Sequence, residues 1–183
     1  GKIEIYKFEG DKFRFFQEIT IGITTNEASD GGFVRIHNGY IVVGYKNQDS
    51  ESTEDAGSVF VYRFEGDYKN FSKGRFRFLQ KIEPPDPVKD ENFGNSLAFK
   101  DGYLVVGAYG HGASPKIPGS VYIYRLDNKR FRFGQKIESP DNKYDGDTFG
   151  ESVAIHDGRI LIGQTSDVGS LATTGNAYIY SYY

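Results

Sequence analysis

The residues in this sequence whose types could do chemistry are first of all oxygen donors. Asp141, Asn142, Asp145 and Asp147 fall within one short stretch, Asp141-Asn142-Lys143-Tyr144-Asp145-Gly146-Asp147. Calcium takes roughly 6–8 oxygen ligands, so the stretch is a candidate calcium site. The same residues suit an Asp/Gly turn held by side-chain-to-backbone hydrogen bonds, and that reading is preferred. The aligned stretch around Lys89 carries no matching set. A second acidic loop, Asp49, Glu51, Glu54 and Asp55, reads as solvated. Of the three histidines, His37 and His156 stand just before equivalent Asn-Gly and Asp-Gly turns, which suggests a structural role in a repeat; His111 stands apart. No Ser/His/Asp or Cys/His arrangement is apparent, and the glycines do not form a phosphate loop ahead of a helix. The expectation is a protein that is not an enzyme, needs no cofactor, and has calcium as its one candidate ion.

Composition narrows the partners. The net charge is −3 with 26% charged residues, which gives no electrostatic case for nucleic acid or an anionic membrane. Arg75-Phe76-Arg77-Phe78 and Arg130-Phe131-Arg132-Phe133 look superficially like a basic-aromatic nucleic-acid reader. Their period of two puts Phe on one face of a strand and Arg on the other, so we expect Phe inward and Arg solvated. There is no Cys, hence no disulfide or thiolate metal site. No apolar run approaches the roughly 20 residues of a membrane helix, and no membrane insertion is expected. Asn70-Phe71-Ser72 is an N-glycosylation sequon in a polar turn. The chain opens on Gly1 without an initiator Met or visible signal peptide, which leads us to expect a mature or trimmed product.

The elements that must position these residues are repeated hairpins. Phe149 to Gly163 reads as strand, Asp157-Gly158 turn, strand; Phe93 to Ala108 and, in eroded form, Gly31 to Gly44 repeat it. Asn-Gly and Asp-Gly favour type I′ turns, whose two central residues both need positive φ. Gly57-Ser58-Val59-Phe60-Val61-Tyr62 recurs at Gly1, Gly119 and Gly175, which sets repeats at 1–56, 57–118 and 119–174 and a terminal strand at 175–183. Each repeat reads as four strands: A and B in the hairpin, C in the Gly-x-Val-Tyr run, and D in the Phe-Arg-Phe-x-x-Gln-Lys-Ile type of run. Pro/Asp-rich connections then stop the pairing. The chain is all-β, a single repeat domain over 1–183, with four short antiparallel strands per repeat as in a propeller blade.

Phe149-Gly150 with Ile162-Gly163, and Phe93-Gly94 with Val106-Gly107-Ala108, resemble FG-GAP repeats, as does Gln135-Lys136-Ile137 followed by Pro140-Asp141 and Phe149-Gly150. The resemblance covers essentially the whole chain. It implies a β-propeller of the kind found in the integrin α head, an extracellular or cell-surface location, and protein or glycan ligands. The family's usual calcium loop is not implied here, because the A–B turns Asn38-Gly39, Asp101-Gly102 and Asp157-Gly158 are too short to wrap a cation. Asp30-Gly31 also replaces Phe-Gly in the first repeat.

Strand order leaves the first and last blades incomplete: C-D, two of A-B-C-D, then A-B-C. Three readings stay open: a piece of a longer propeller, copies that complete one another by strand addition, or a compact array of few blades. The functional expectation is a non-catalytic extracellular binding or adhesion module. Its variable B–C loops would present Tyr45, Tyr109 and His111 on one rim. The alternatives are a self-assembling subunit of a filament or ring, and an accessory domain of a secreted enzyme.

Overall fold

The computed structural model describes residues 1–22, 32–67, 73–110, 117–140, 148–166 and 174–182. The described strands are β1 (Lys2–Glu9), β2 (Lys12–Thr20), β3 (Phe33–His37), β4 (Tyr40–Tyr45), β5 (Ser58–Glu65), β6 (Arg75–Ile82), β7 (Ser96–Lys100), β8 (Tyr103–Ala108), β9 (Ser120–Asp127), β10 (Arg130–Glu138), β11 (Ser152–His156), β12 (Arg159–Ser166) and β13 (Thr174–Ser181). They form an antiparallel pair β1-β2, two four-stranded sheets β3-β4-β5-β6 and β7-β8-β9-β10, and a three-stranded sheet β11-β12-β13. This is the C-D, A-B-C-D, A-B-C-D, A-B-C order expected from the repeats, and no α-helix lies among the described residues.

Local chemistry explains the hairpins. φ is 45° and 74° at Asn38-Gly39, 51° and 81° at Asp101-Gly102, and 44° and 69° at Asp157-Gly158, so all three A–B turns have the positive φ pair of type I′. β4 is buried along its whole length. Its alternate residues face two different neighbours: Ile41 and Val43 pack toward β1-β2, and Val42 packs toward the sheet of β7 to β10. Three apolar layers result. Ile5, Ile19 and Ile21 meet Phe60, Tyr62 and Phe76; Val42, Val59 and Val61 meet Phe93, Leu104 and Tyr122; Ala98, Val105 and Val121 meet Phe149, Ile160 and Ile162. Burying a side chain of this size stabilises by about 1.5–3 kcal/mol, so each sheet depends on the ones beside it.

Backbones touch between sheets at one level. A Cβ on Gly44 would collide with the Gly94 carbonyl, and one on Gly107 with the Gly150 carbonyl. The Phe-Gly that leads into strand A therefore rests against the glycine near the end of strand B in the preceding sheet. The Phe93 N–H donates to the Ala56 carbonyl at 3.0 Å, and the Ser96 hydroxyl to the Gly150 carbonyl at 2.7 Å.

One expectation needs correction. Phe76 and Phe131 are buried, but Phe78 and Phe133 are exposed, although all four were expected to face inward. Phe78 shares the face of Phe76 but lines the open cleft beside β2, and Phe133 shares the face of Phe131, so what leaves their rings exposed is incomplete cover and not their direction. Beyond them strand D carries a β-bulge. Val61 pairs with Gln80 and Tyr62 with Phe78, which leaves Leu79 extra; in the next blade Gly134 is the extra residue. The bulge reverses the alternation. Phe76 faces the preceding sheet, whereas Gln80 is turned with Ile82 toward the following one.

Candidate functional site

Because strands alternate in direction, the B–C loops and D–A connections share one rim of the stack, and the A–B and C–D turns share the other. Of the residues proposed for binding, the described ones, Tyr45 and Tyr109, stand at the first rim. Tyr45 ends β4 with its ring buried edge-on against Phe60, 5.9 Å between centroids, and burial raises its phenol pKa. It belongs to the core layer rather than to a ligand-facing surface. Tyr109 is half-buried at the end of the equivalent strand. The Lys46 ammonium approaches it from the neighbouring blade, 3.5 Å from the hydroxyl and 5.9 Å from the ring centroid. His111, Asp141, Asn142, Asp145, Asp147 and Asn70 lie outside the described residues.

The acidic B–C loop is built as a turn. Asp49 accepts from the Asp55 N–H at 3.0 Å, and Ser50 accepts from the Thr53 N–H at 3.0 Å. Glu54 pairs with Lys89 at 2.9 Å. No cluster of three or more His, Asp or Glu suited to a metal ion occurs among the described residues. The two repeat-equivalent histidines differ in surroundings: His37 packs edge-on to Phe99 at 5.4 Å, while His156 is exposed beside Asp157 at 3.2 Å.

Two features went unread in the sequence. Glu91, in the connection before Phe93, is almost fully buried and accepts a hydrogen bond from the Tyr122 hydroxyl. Burial pushes its carboxyl pKa up, although the Tyr122 and Val88 hydrogen bonds pull the other way. Its place in a polar run, Lys89-Asp90-Glu91-Asn92, carries no sign of this. The second feature is an open cleft of about 400 Å³ between β2 and the β5-β6 pair. Its lining includes Gln17, Glu18 and Thr20 on one side and Phe60, Tyr62 and Phe78 on the other. Burial pushes the Tyr62 phenol up to about 12.

Stacked four-stranded antiparallel sheets, joined where a Phe-Gly backbone meets a glycine of the preceding sheet, define a β-propeller-type repeat module. A family model described as FG-GAP repeat matches residues 76–124 and 132–180, more than half of the chain, and the chain belongs to the FG-GAP repeat family. Each match runs from strand D of one blade through A, B and C of the next, so the family unit spans the blade boundary where the Phe-Gly contact is made. No curated protein matches the chain.

Proposed function

We propose that the chain is a non-catalytic binding module that works outside the cell or at its surface and holds a protein or glycan ligand. The cleft beside β2 carries this reading. Aromatic rings with a few convergent polar groups suit the apolar faces of sugars or aromatic and aliphatic peptide side chains. The location is supported by the family, since FG-GAP repeats are typical of extracellular or surface proteins. A glycan and peptide array followed by titration tests it. Phe78→Ala, at an exposed position, is expected to weaken any ligand found about tenfold or more while leaving thermal stability unchanged. Ligands that bind the variant equally well would remove the cleft from consideration.

A second reading, self-association, is favoured by a specific observation. The outer face of the last sheet presents Leu161 and Ile179, and that of β1-β2 presents Tyr6, Phe8, Phe13 and Phe15, all exposed. These are the two complementary faces that meet inside the chain at each layer. Stacked head to tail they form a heterologous contact, which closes into a ring or runs on as a filament. Sedimentation over a hundredfold concentration range tests it; a monomer throughout ends this reading.

A further inference from the structure

The turn end of each C–D hairpin repeats one charge pattern. In β1-β2, Lys7 stands directly opposite Arg14, and Glu9 opposite Lys12. In β5-β6, Arg63 stands opposite Arg77, and Glu65 opposite Arg75. In β9-β10, Arg125 stands opposite Arg132, and Asp127 opposite Arg130. Opposite residues share a face, as do residues two apart in a strand, so each hairpin gathers three cations and one carboxylate on one face. The carboxylates are already engaged. Glu65 pairs with Arg77 at 2.8 Å, Asp127 with Arg132 at 2.9 Å, and Glu9 with Lys7 at 3.0 Å and Arg14 at 3.5 Å. Lys12, Arg63, Arg75, Arg125 and Arg130 meet no carboxylate within ion-pair distance among the described residues.

Like charges directly opposite each other across a ladder destabilise a sheet. Three hairpins nevertheless hold a like-charged pair at the same register position. Arg75 and Arg77 stay exposed although the sheet that follows them, β7 to β10, has all four strands, so their exposure does not depend on the ends of the stack. On the same rim, Asp101 and Asp157 of the A–B turns are offset by Lys100 and Arg159 beside them. The chain as a whole carries −3, so the surface away from these hairpin ends is net acidic. Positive charge is thus concentrated where it costs stability, once per sheet along one rim.

We propose that the C–D rim binds an acidic polysaccharide, whose sulfate or carboxylate groups sit on successive hairpin clusters. Arginine supplies most of the charge, and its planar fork bonds either anion bidentately. Packed sheets stand roughly 10 Å apart, so the clusters recur at that interval or wider. An acidic polysaccharide carries its charges one or two sugars apart and can match it. Duplex DNA carries a charge about every 1.7 Å of axis, so such clusters leave most phosphates uncompensated beside a net acidic protein. The rim takes in the start of β2, whereas the cleft is lined by Gln17 to Thr20 at the other end of that strand. The two sites therefore stand or fall separately.

The test titrates the 183-residue chain with fluorescent oligosaccharides of chondroitin sulfate and of polygalacturonate, at low and at physiological salt. Saturable binding of at least one is expected, weakening steeply as salt rises; which one binds tells sulfate from carboxylate recognition. Arg63→Gln and Arg75→Gln are each expected to weaken it about threefold and together about tenfold, the worth of one exposed charge contact apiece. Arg63 faces Arg77, so Arg63→Gln should leave the urea midpoint unchanged or raise it, which loss of a merely structural arginine does not do. Lys89→Gln, at the opposite rim, and Phe78→Ala leave binding unaltered. Duplex DNA of equal total charge is expected to compete poorly. Absence of saturable binding by both sugars, tighter binding of the DNA, equal loss from Lys89→Gln, or full retention by the Arg63→Gln, Arg75→Gln double variant overturns the proposal.

Discussion

The two middle sheets and the last sheet carry the same motifs in different surroundings. Val105 of β8 is 0% exposed because Phe149 and Ile162 pack over it; Leu161, its counterpart in β12, is 44% exposed. Phe131 of β10 is 2% exposed, and Phe13, its counterpart in β2, is 70% exposed. Identical positions in the repeat thus differ by most of the burial energy of a side chain. The motif provides a capacity to pack, and the neighbouring sheet realises it.

That contrast is broken most severely at the glycines. Gly107→Ala places a methyl group against the Gly150 carbonyl, where neither backbone can yield without parting two sheets. A loss of about 3 kcal/mol or more is expected, or failure to fold. At Gly163 an added Cβ meets chiefly the Ser152 hydroxyl, which is exposed and rotates away. Gly163→Ala should cost well under about 1 kcal/mol. Urea unfolding of the two variants compares them directly, and similar losses would mean that the Phe-Gly contact does not join the sheets as described.

The phenylalanines of strand D give the next largest difference. Phe131→Ala removes a ring from the layer between two sheets and is expected to cost about 3–5 kcal/mol. Phe13→Ala removes an exposed ring and should change stability by about 0.5 kcal/mol or less. Calorimetric unfolding reads both. A large effect at Phe13 in dilute solution would show that its face is covered after all, and would strengthen the self-association reading.

Glu91 sharpens the comparison through pH. Its folded-state pKa is raised, first by burial, so its contribution to stability is fully present below the ordinary carboxylate pKa. That contribution is lost as pH rises from the unfolded pKa through the higher folded one. Wild-type stability should therefore fall over the interval just above pH ~4.5, and Glu91→Gln should flatten the profile there. A profile that keeps its slope in the variant would assign the titration to another group.

Much of this architecture can be read from residue order, because its causes are local. Asn-Gly and Asp-Gly fix the hairpins, and unbroken runs such as Ile41-Val42-Val43 announce strands covered on both sides. The bulge cannot be read so easily. Its extra residue is Phe16, Leu79 or Gly134, so no one residue type marks it, and Phe-Arg-Phe alternates cleanly up to the point where the register slips. The turn of Gln80 toward the following sheet follows from that slip, whereas Phe78 keeps the face of Phe76 and is exposed because the cleft beside β2 leaves it uncovered. Tyr45 stands one residue before a loop, but regular alternation along β4 turns its ring inward. Glu91 is hidden because burial of a charged residue is a tertiary fact that its polar neighbours give no sign of.

The glutamines give the smallest and most specific contrast. Gln80→Ala leaves the Phe131 N–H and C=O without the partner that the amide supplied, and water can reach only part of that edge. The expected cost is about 1–2 kcal/mol, ordinary for two hydrogen bonds partly replaced by solvent. Gln135→Ala removes the same side chain where it clasps nothing, so its cost should be about zero in the isolated chain. The difference between the two variants measures the clasp free of any intrinsic preference of Ala over Gln for a strand, since both sit one residue beyond the same bulge. Equal costs at Gln80 and Gln135 would mean that the side chain acts within its own strand, and the reading of these glutamines as links between blades would have to be abandoned.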